Sequence, residues 1–221
     1  MTASVAHAKT GPPGLADALR TLGLSVPQGA QAKLQAYLAL LAKWNRTYKL
    51  TAIRDPNQMV THHVIDALAV LAHLPAQDSI RLLDVGSGGG IPGLPLAIAK
   101  PTWRLVLVDS SEKKVSFLTQ AIIELGLRNA QAIATRVEDL QSGTFDVVIS
   151  RAFADLGTFV QSSLRHVAAN GKLYAMKGAM PHDEIATLPS SVDVIATTRL
   201  VVPGVEGLRH LIVMQSRGDR Q

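Results

Sequence analysis

Cysteine is absent from all 221 residues, which rules out disulfides, thiolate metal ligands and thiol nucleophiles together. The same absence fits a reducing compartment, and a cytoplasmic location is the expectation. Aromatic residues make up only 4% of the chain against 47% hydrophobic residues in all. The core must therefore be aliphatic, as in a sheet covered by helices. No apolar run approaches the ~18 residues that a membrane span needs. Met1 to Pro13 also carries no unbroken apolar stretch of the kind found in a secretory signal. Acidic residues are in the minority, 17 against 22 Lys and Arg, giving a formal charge of +5 and a pI near 9.7. That modest excess favours phosphate-rich partners, although many enzymes share it. Seven histidines are scattered, and only His62-His63 are adjacent. Neighbours on a helix point ~100° apart, so one zinc ion cannot easily use both, and no metal is expected.

The length suits one domain of ordinary size plus an extension. Residues 1–13, small and Gly/Pro-bearing, read as a flexible tail. Residues 14–78 read as an N-terminal helical extension. Leu34, Leu38, Leu41 and Trp44 follow an i, i+4, i+7, i+10 spacing. Asp55-Pro56-Asn57 is a cap-and-turn signal, after which Met59, His63, Asp66 and Val70 fall on one face of a further helix. A short polar link, 75–79, follows, and residues 79–221 form the second unit. Its strand candidates are 80–85, 104–108, 130–134, 145–150 and 171–176, with helical stretches at 92–99, 111–126 and 156–168. Connections of that length imply parallel strands with right-handed crossovers. The segments 193–202 and 208–215 are β-rich and joined through Pro203-Gly204-Val205-Glu206-Gly207, a link that predicts a hairpin and one late antiparallel strand. The expected fold is α/β, a Rossmann-like doubly wound sheet with an antiparallel finish behind a helical extension.

The stretch Leu82 to Gly93 carries the strongest functional signal. An apolar run ends in Asp84, and glycines follow at 86, 88 and 90, leading into a helical pattern. Such a loop has few β-carbons to block a ligand and opens onto a helix N-terminus. The pyrophosphate fingerprint G-x-G-x-x-G needs glycine at 91, where Ile91 stands. The loop therefore suits a nucleoside-containing ligand without a pyrophosphate, with S-adenosylmethionine the leading candidate.

In open α/β sheets ligands lie beyond the C-terminal strand ends, near the point where strand order reverses. The second candidate strand ends in Asp109, whose carboxylate could accept both ribose hydroxyls or serve only to cap the next helix. The third leads into Thr135-Arg136-Val137-Glu138-Asp139, a loop able to meet an adenine through backbone groups and an apolar side chain. The fourth runs into Arg151-Ala152-Phe153, and the fifth into Met176-Lys177-Gly178. Two cations on this rim argue for an anionic partner such as nucleic-acid phosphate, or for the cofactor's own carboxylate. No Asp/Asn-Pro-Pro-Tyr/Phe run, which handles exocyclic amines, follows the fourth strand, and without cysteine a pyrimidine C5 cannot be activated. A target that is nucleophilic as it stands, such as guanine N7, needs alignment and electrostatics but no general base.

Lys43-Trp44-Asn45-Arg46, Tyr48, Leu50-Thr51, Arg54-Asp55-Pro56-Asn57, His63 and Asp66 closely resemble the helical start of the glucose-inhibited division protein B family. The glycine loop, Asp109-Ser110, Arg136-Val137-Glu138, Ile149-Ser150-Arg151-Ala152-Phe153 and Met176-Lys177-Gly178 resemble the same family in the same order, so the likeness spans roughly residues 15–215. The resemblance implies a class I S-adenosylmethionine-dependent methyltransferase fold. It also implies an activity: methylation of guanine N7 in small-subunit (16S) ribosomal RNA, with the RNA alone or within the particle as partner. It further implies cofactor contacts at Gly86, Ile91, Val137, Glu138 and Arg151, with Gly88 beside them and Asp109 in the fold's ribose role. Arg151 is also the candidate for the chemical step. Some family members are expected to carry proline in the middle of Gly88-Gly89-Gly90; glycine there loosens the loop but leaves its path.

Lys43, Arg46, Lys49, Arg54 and Lys177 are the candidate RNA contacts, with Trp44 and Tyr48 interleaved for stacking. Trp44 is read as core. His63 and Asp66, three apart on a helix, are expected to bond to one another, in a structural or a catalytic role. The readings set against a methyltransferase are a nicotinamide-dependent oxidoreductase, which the glycine spacing disfavours, and a non-catalytic ribosome assembly factor, disfavoured by Asp109 and Arg151 beside an intact loop.

Overall fold

The computed structural model describes residues 14–153 and 155–217; the expected tail at 1–13 lies outside the described residues. Two helices open the chain, α1 (Leu15–Thr21) and α2 (Ala30–Tyr48). Leu34, Leu38 and Leu41 are buried at the predicted spacing, and Trp44 is half-buried at the end of that stripe. The Asp55 side chain accepts from Asn57 N and Pro56 occupies the first turn, so α3 (Pro56–Met59) starts where the cap signal stands. It runs on without a break through a π-helical stretch (Val60–Ile65), α4 (Asp66–Leu68) and a 3₁₀ turn (Ala69–His73). Met59, His63, Asp66 and Val70 are all buried, as expected of one face.

Among the described residues the rest alternates β1 (Arg81–Val85), α5 (Gly93–Ala99), β2 (Arg104–Asp109), α6 (Glu112–Glu124), β3 (Ala130–Ala134), β4 (Phe145–Ser150), α7 (Leu156–Ser163), β5 (Val167–Lys177), α8 (His182–Ala186), β6 (Val192–Arg199) and β7 (His210–Ser216). These strands form one sheet in the order β3-β2-β1-β4-β5-β7-β6. β1 to β5 are mutually parallel, and β7 runs antiparallel to both β5 and β6. Two boundaries differ from expectation. The helix expected over 156–168 stops short, because the chain is already paired as a strand from Val167, opposite Phe145. The hairpin link is longer than Pro203 to Gly207, running from Leu200 to Arg209 and closed by Leu200 N donating to Arg209 O at 2.8 Å.

Alternation along the strands divides the core. Leu82, Leu105, Leu107, Val147, Ile149 and Leu211 face one side, where they join buried residues of α1, α2, the Met59–Val70 face, α5 and α6. Leu83, Val85, Val148, Leu173 and Ile212 face the other, against Leu156, Phe159 and Val160 of α7. Each such side chain, wholly buried, stabilises the fold by roughly 1.5–3 kcal/mol over leaving it in water. The helical start is thus built into the same apolar layer as the sheet. Strand order reverses between β1 and β4, which opens a crevice at their C-terminal ends.

Candidate active site

The glycine loop after β1 is pinned to its neighbour strand: Gly86 N and Ser87 N both donate to Val108 O, at 2.8 and 3.1 Å. Gly86 has φ +71°, and a β-carbon there would sit 2.8 Å from the Ala152 β-carbon. Only glycine lets the segment after β4 come this close. Gly88, φ +55°, has open space instead: a β-carbon there would meet only Gly86 O, at 3.8 Å. Its N–H donates to Asp109 Oδ2 at 3.0 Å, while Ser111 N donates to Oδ1 at 2.9 Å and Lys114 Nζ approaches Oδ2 at 3.4 Å. Asp109 therefore caps the following turn and also braces the glycine loop. A carboxylate has about four acceptor positions, so Oδ1 retains one. The long contact from Lys114, whose side chain is 43% exposed, is weak enough for a ligand hydroxyl to replace. Around this carboxylate lies a cleft of about 310 Å³ walled by Gly86, Asp109, Arg136, Val137, Glu138 and Phe153.

A second cleft, of about 250 Å³, lies on the other side of the segment that follows β4: Arg151 lines it, whereas Ala152 and Phe153 line the first. Asp66, His62, Lys177, Arg209 and His210 complete its polar wall. Arg151 Nη1 donates to the His62 carbonyl at 2.7 Å and to Asp66 Oδ2 at 2.9 Å, and Arg209 Nε donates to Asp66 Oδ1 at 3.1 Å. Lys177 Nζ pairs with Glu184 at 2.8 Å, with its side chain 13% exposed.

Beneath the clefts lie polar groups cut off from water. Asp84 is fully buried, with Oδ2 accepting from Gly93 N at 2.9 Å and Oδ1 without a partner among the described residues. Burial pushes its carboxyl up to about 7, against the opposing pull of the Gly93 N–H, the Ser87 hydroxyl and the Arg151 charge. Burial, reinforced by Arg151, lowers His63 to about 4, so its imidazole is neutral at physiological pH. His63 Nε2 lies 2.9 Å from Thr51 Oγ1, and the Thr51 N–H donates to Asn45 Oδ1 at 2.9 Å. Burial raises Tyr37 above its ordinary range, and its hydroxyl donates to Gly89 O at 2.6 Å. That bond ties α2 to the glycine loop and restrains Gly89, so the loop is not loose at this residue.

The family model described as rRNA small subunit methyltransferase G (GidB) matches residues 30–212. The chain belongs to this family. A relative named ribosomal RNA small subunit methyltransferase G in Nitrosospira multiformis is 48% identical over 214 residues, 93% of this chain and 97% of its own. Another of that name in Azoarcus sp. is 51% identical over 201 residues, 90% and 94% of the two chains. Among solved structures, ribosomal protein L11 methylase from Lactobacillus delbrueckii subsp. bulgaricus superposes with TM-score 0.53 at 14% identity, covering 69% of this chain and 76% of its own, a likeness of fold.

For this small subunit methyltransferase G family member, the residues singled out by sequence separate into groups. Gly86, Asp109, Val137 and Glu138 meet around the first cleft. Gly88 braces it through Asp109, while Ile91 is buried in the apolar layer and is not on the cleft wall. Arg151 opens onto the second cleft. Lys43, Arg46, Lys49 and Arg54 are exposed, whereas Lys177 points its charge at Glu184. His63 and Asp66 do not bond to each other: the wider i→i+5 turn of the π-helical stretch displaces their i, i+3 stacking, and His63 meets Thr51 while Asp66 meets two arginines. Arg209 and His210 escape the sequence reading because strand-end reasoning looks at C-termini. β7 is antiparallel, so its first residue, His210, pairs with Lys177, the last of β5, and its start lies on the ligand edge. Reading the predicted antiparallel strand at its N-terminal end finds them.

Proposed function

We propose that this chain transfers a methyl group from S-adenosylmethionine to N7 of a guanine in 16S ribosomal RNA, free or within the small-subunit particle. The observation that supports it most is the convergence of Gly86, Asp109, Val137 and Glu138 on one cleft, in a chain of the small subunit methyltransferase G family. The first cleft suits the donor: the Gly88 side leaves space, Asp109 Oδ1 keeps an acceptor position for a ribose hydroxyl, and buried Val137 with exposed Glu138 offers an apolar face beside a polar one. When bound, the donor supplies a methyl carbon made electrophilic by its sulfonium. The N7 lone pair of guanine is already available, so no residue has to remove a proton before attack. That is compatible with a site whose buried imidazole, His63, lies beneath the clefts and engages Thr51. The second cleft, reached across Arg151–Phe153, is the place for the nucleotide.

Exposed cations also cluster at the end of α2 and just beyond it. Lys43, Arg46, Lys49 and Arg54 flank Tyr48, which is 46% exposed. The Tyr48 ring lies 5.1 Å from Trp44, itself edge-on to Phe117 at 5.7 Å, so a core-anchored ring supports an exposed one that a base could stack on.

The test is to incubate the protein with labelled donor and small subunits from cells lacking it, then to digest and weigh the RNA fragments. Appearance of 7-methylguanosine in 16S RNA is expected; no incorporation, or a methyl on another atom, overturns the proposal. RNA affinity should also fall steeply with salt. Neutralising Lys43, Arg46, Lys49 and Arg54 together should flatten the plot of log affinity against log salt by about 3 units of slope; an unchanged slope would remove these residues from the interface.

A further inference from the structure

Asp66 is 2% exposed at its side chain, yet two arginines from distant parts of the chain end on it. Arg151 follows β4, and Arg209 immediately precedes β7. Each arginine takes a different carboxylate oxygen, at 2.9 and 3.1 Å. Arg151 Nη1 is fixed a second time by the His62 carbonyl, in the π-helical stretch that leads into Asp66. Arg209 Nη1 is fixed by Leu208 O at 2.9 Å. The carboxylate is thus buried while both arginines reach the wall of the 250 Å³ cleft with side chains 30% and 26% exposed.

An ion pair so arranged is a weak source of stability, because the buried carboxylate loses its hydration and an apolar group in its place often does as well. What it supplies is orientation. A guanidinium held at one edge presents its remaining N–H groups in a fixed plane, and that planar fork matches a phosphate. Two arginines against one carboxylate leave a net positive charge at the cleft.

We propose that Asp66 is a positioning residue for methyl transfer: it holds Arg151 and Arg209 as a rigid pair that grips the phosphate of the target nucleotide. The inference takes its substrate from the RNA methyltransferase reading above. Asp66 would act only through the arginines, without touching the reacting atoms.

Charge and orientation predict opposite outcomes for Asp66→Asn. If the cluster attracted anions only by its net charge, removing a carboxylate would tighten them. If Asp66 orients the arginines, the variant binds guanosine 5′-monophosphate about tenfold more weakly than wild type by titration calorimetry. Weaker binding is expected; equal or tighter binding, or none by the wild type, overturns the inference. In single-turnover methyl transfer, Asp66→Asn should lose at least about tenfold with donor affinity within about twofold, and Asp66→Glu should restore part of the rate. Placed on an Arg151→Lys, Arg209→Lys background, Asp66→Asn should cost less than about twofold more; an additive loss means that Asp66 does not work through the arginines. Should Asp66→Asn fail to fold, Arg209→Lys, which keeps the charge but not the fork, must weaken the nucleotide by a similar factor, and unchanged binding is fatal. The nucleotide titration does not depend on turnover. A wild type that binds the nucleotide through Asp66 but methylates no RNA would sink the activity and leave the arginine clamp standing.

Discussion

Arg151→Ala is expected to slow methyl transfer by at least about a hundredfold, about 2.7 kcal/mol of barrier, while the protein stays folded. Arg151 is the residue on which the neighbouring parts of the site depend. It follows β4 at the crevice, lines the second cleft, and shares its backbone segment with Ala152 and Phe153 of the first. Its charge also acts on Asp84, His63 and Tyr37 beneath. The stability cost should be modest but measurable. The loss leaves Asp66 paired with Arg209 alone and the His62 carbonyl without this donor, for roughly 1–2 kcal/mol in all. A surface arginine would have cost nothing. The measurement pairs single-turnover rates under saturating donor with guanidinium unfolding of the same preparation. Full activity would remove Arg151 from the reaction, and wholesale unfolding would make it a structural residue.

The second large effect is in the pH dependence of stability, where two buried groups act with opposite sign. Asp84 has an ordinary value of 3.8 and is pushed up to about 7 in the folded protein. Between those values the folded state keeps a proton that the unfolded chain has released. Its contribution is therefore complete below about pH 4 and is lost as pH rises through 7, on the order of 4 kcal/mol. His63 has an ordinary value of 6.5 and is lowered to about 4. There the unfolded chain holds the extra proton, so stability is lost as pH falls from 6.5 towards 4, by roughly 3 kcal/mol. In the wild type the two largely cancel between about pH 4 and 6.5. Asp84→Asn should leave the histidine alone, and stability relative to wild type should then climb with pH across that interval. His63→Gln should leave the aspartate, and the relative curve should descend across the same interval and level off above about pH 6.5. Denaturant midpoints at half-unit pH steps would separate the three proteins; curves that stay parallel would show that neither group is shifted.

Much of the architecture was legible because it rests on local pattern. Asp55-Pro56-Asn57 starts a helix wherever a side-chain cap can meet a free N–H, and this one does. Buried parallel strands read as apolar runs, so β1, β2 and β4 fall within a residue of expectation. The antiparallel finish followed from a connection too short for a crossover. The strand at Val167 did not announce itself, since Ala168, Ala169 and Asn170 carry no strand pattern; Val167 pairs with Phe145 because β4 lies alongside, and the ladder resumes only at Lys172 after a bulge.

Composition and order alone determined the chemistry open to this chain: no thiol reaction, a glycine loop without the pyrophosphate spacing, Asp109 at one strand end and Arg151 at another. Those properties belong to residue types and their sequence neighbours. Only tertiary structure decided the partnerships. It separated Arg151 from the Gly86 cleft, turned Lys177 towards Glu184, gave Asp66 to two arginines instead of His63, and brought Arg209 to the rim at the start of an antiparallel strand. The partners of Asp66 lie 85 and 143 residues away in the chain, and no local periodicity encodes contacts at that range. They arise when the sheet places β4 and β7 beside the buried helical face, and the low-dielectric interior then makes pairing of that carboxylate obligatory.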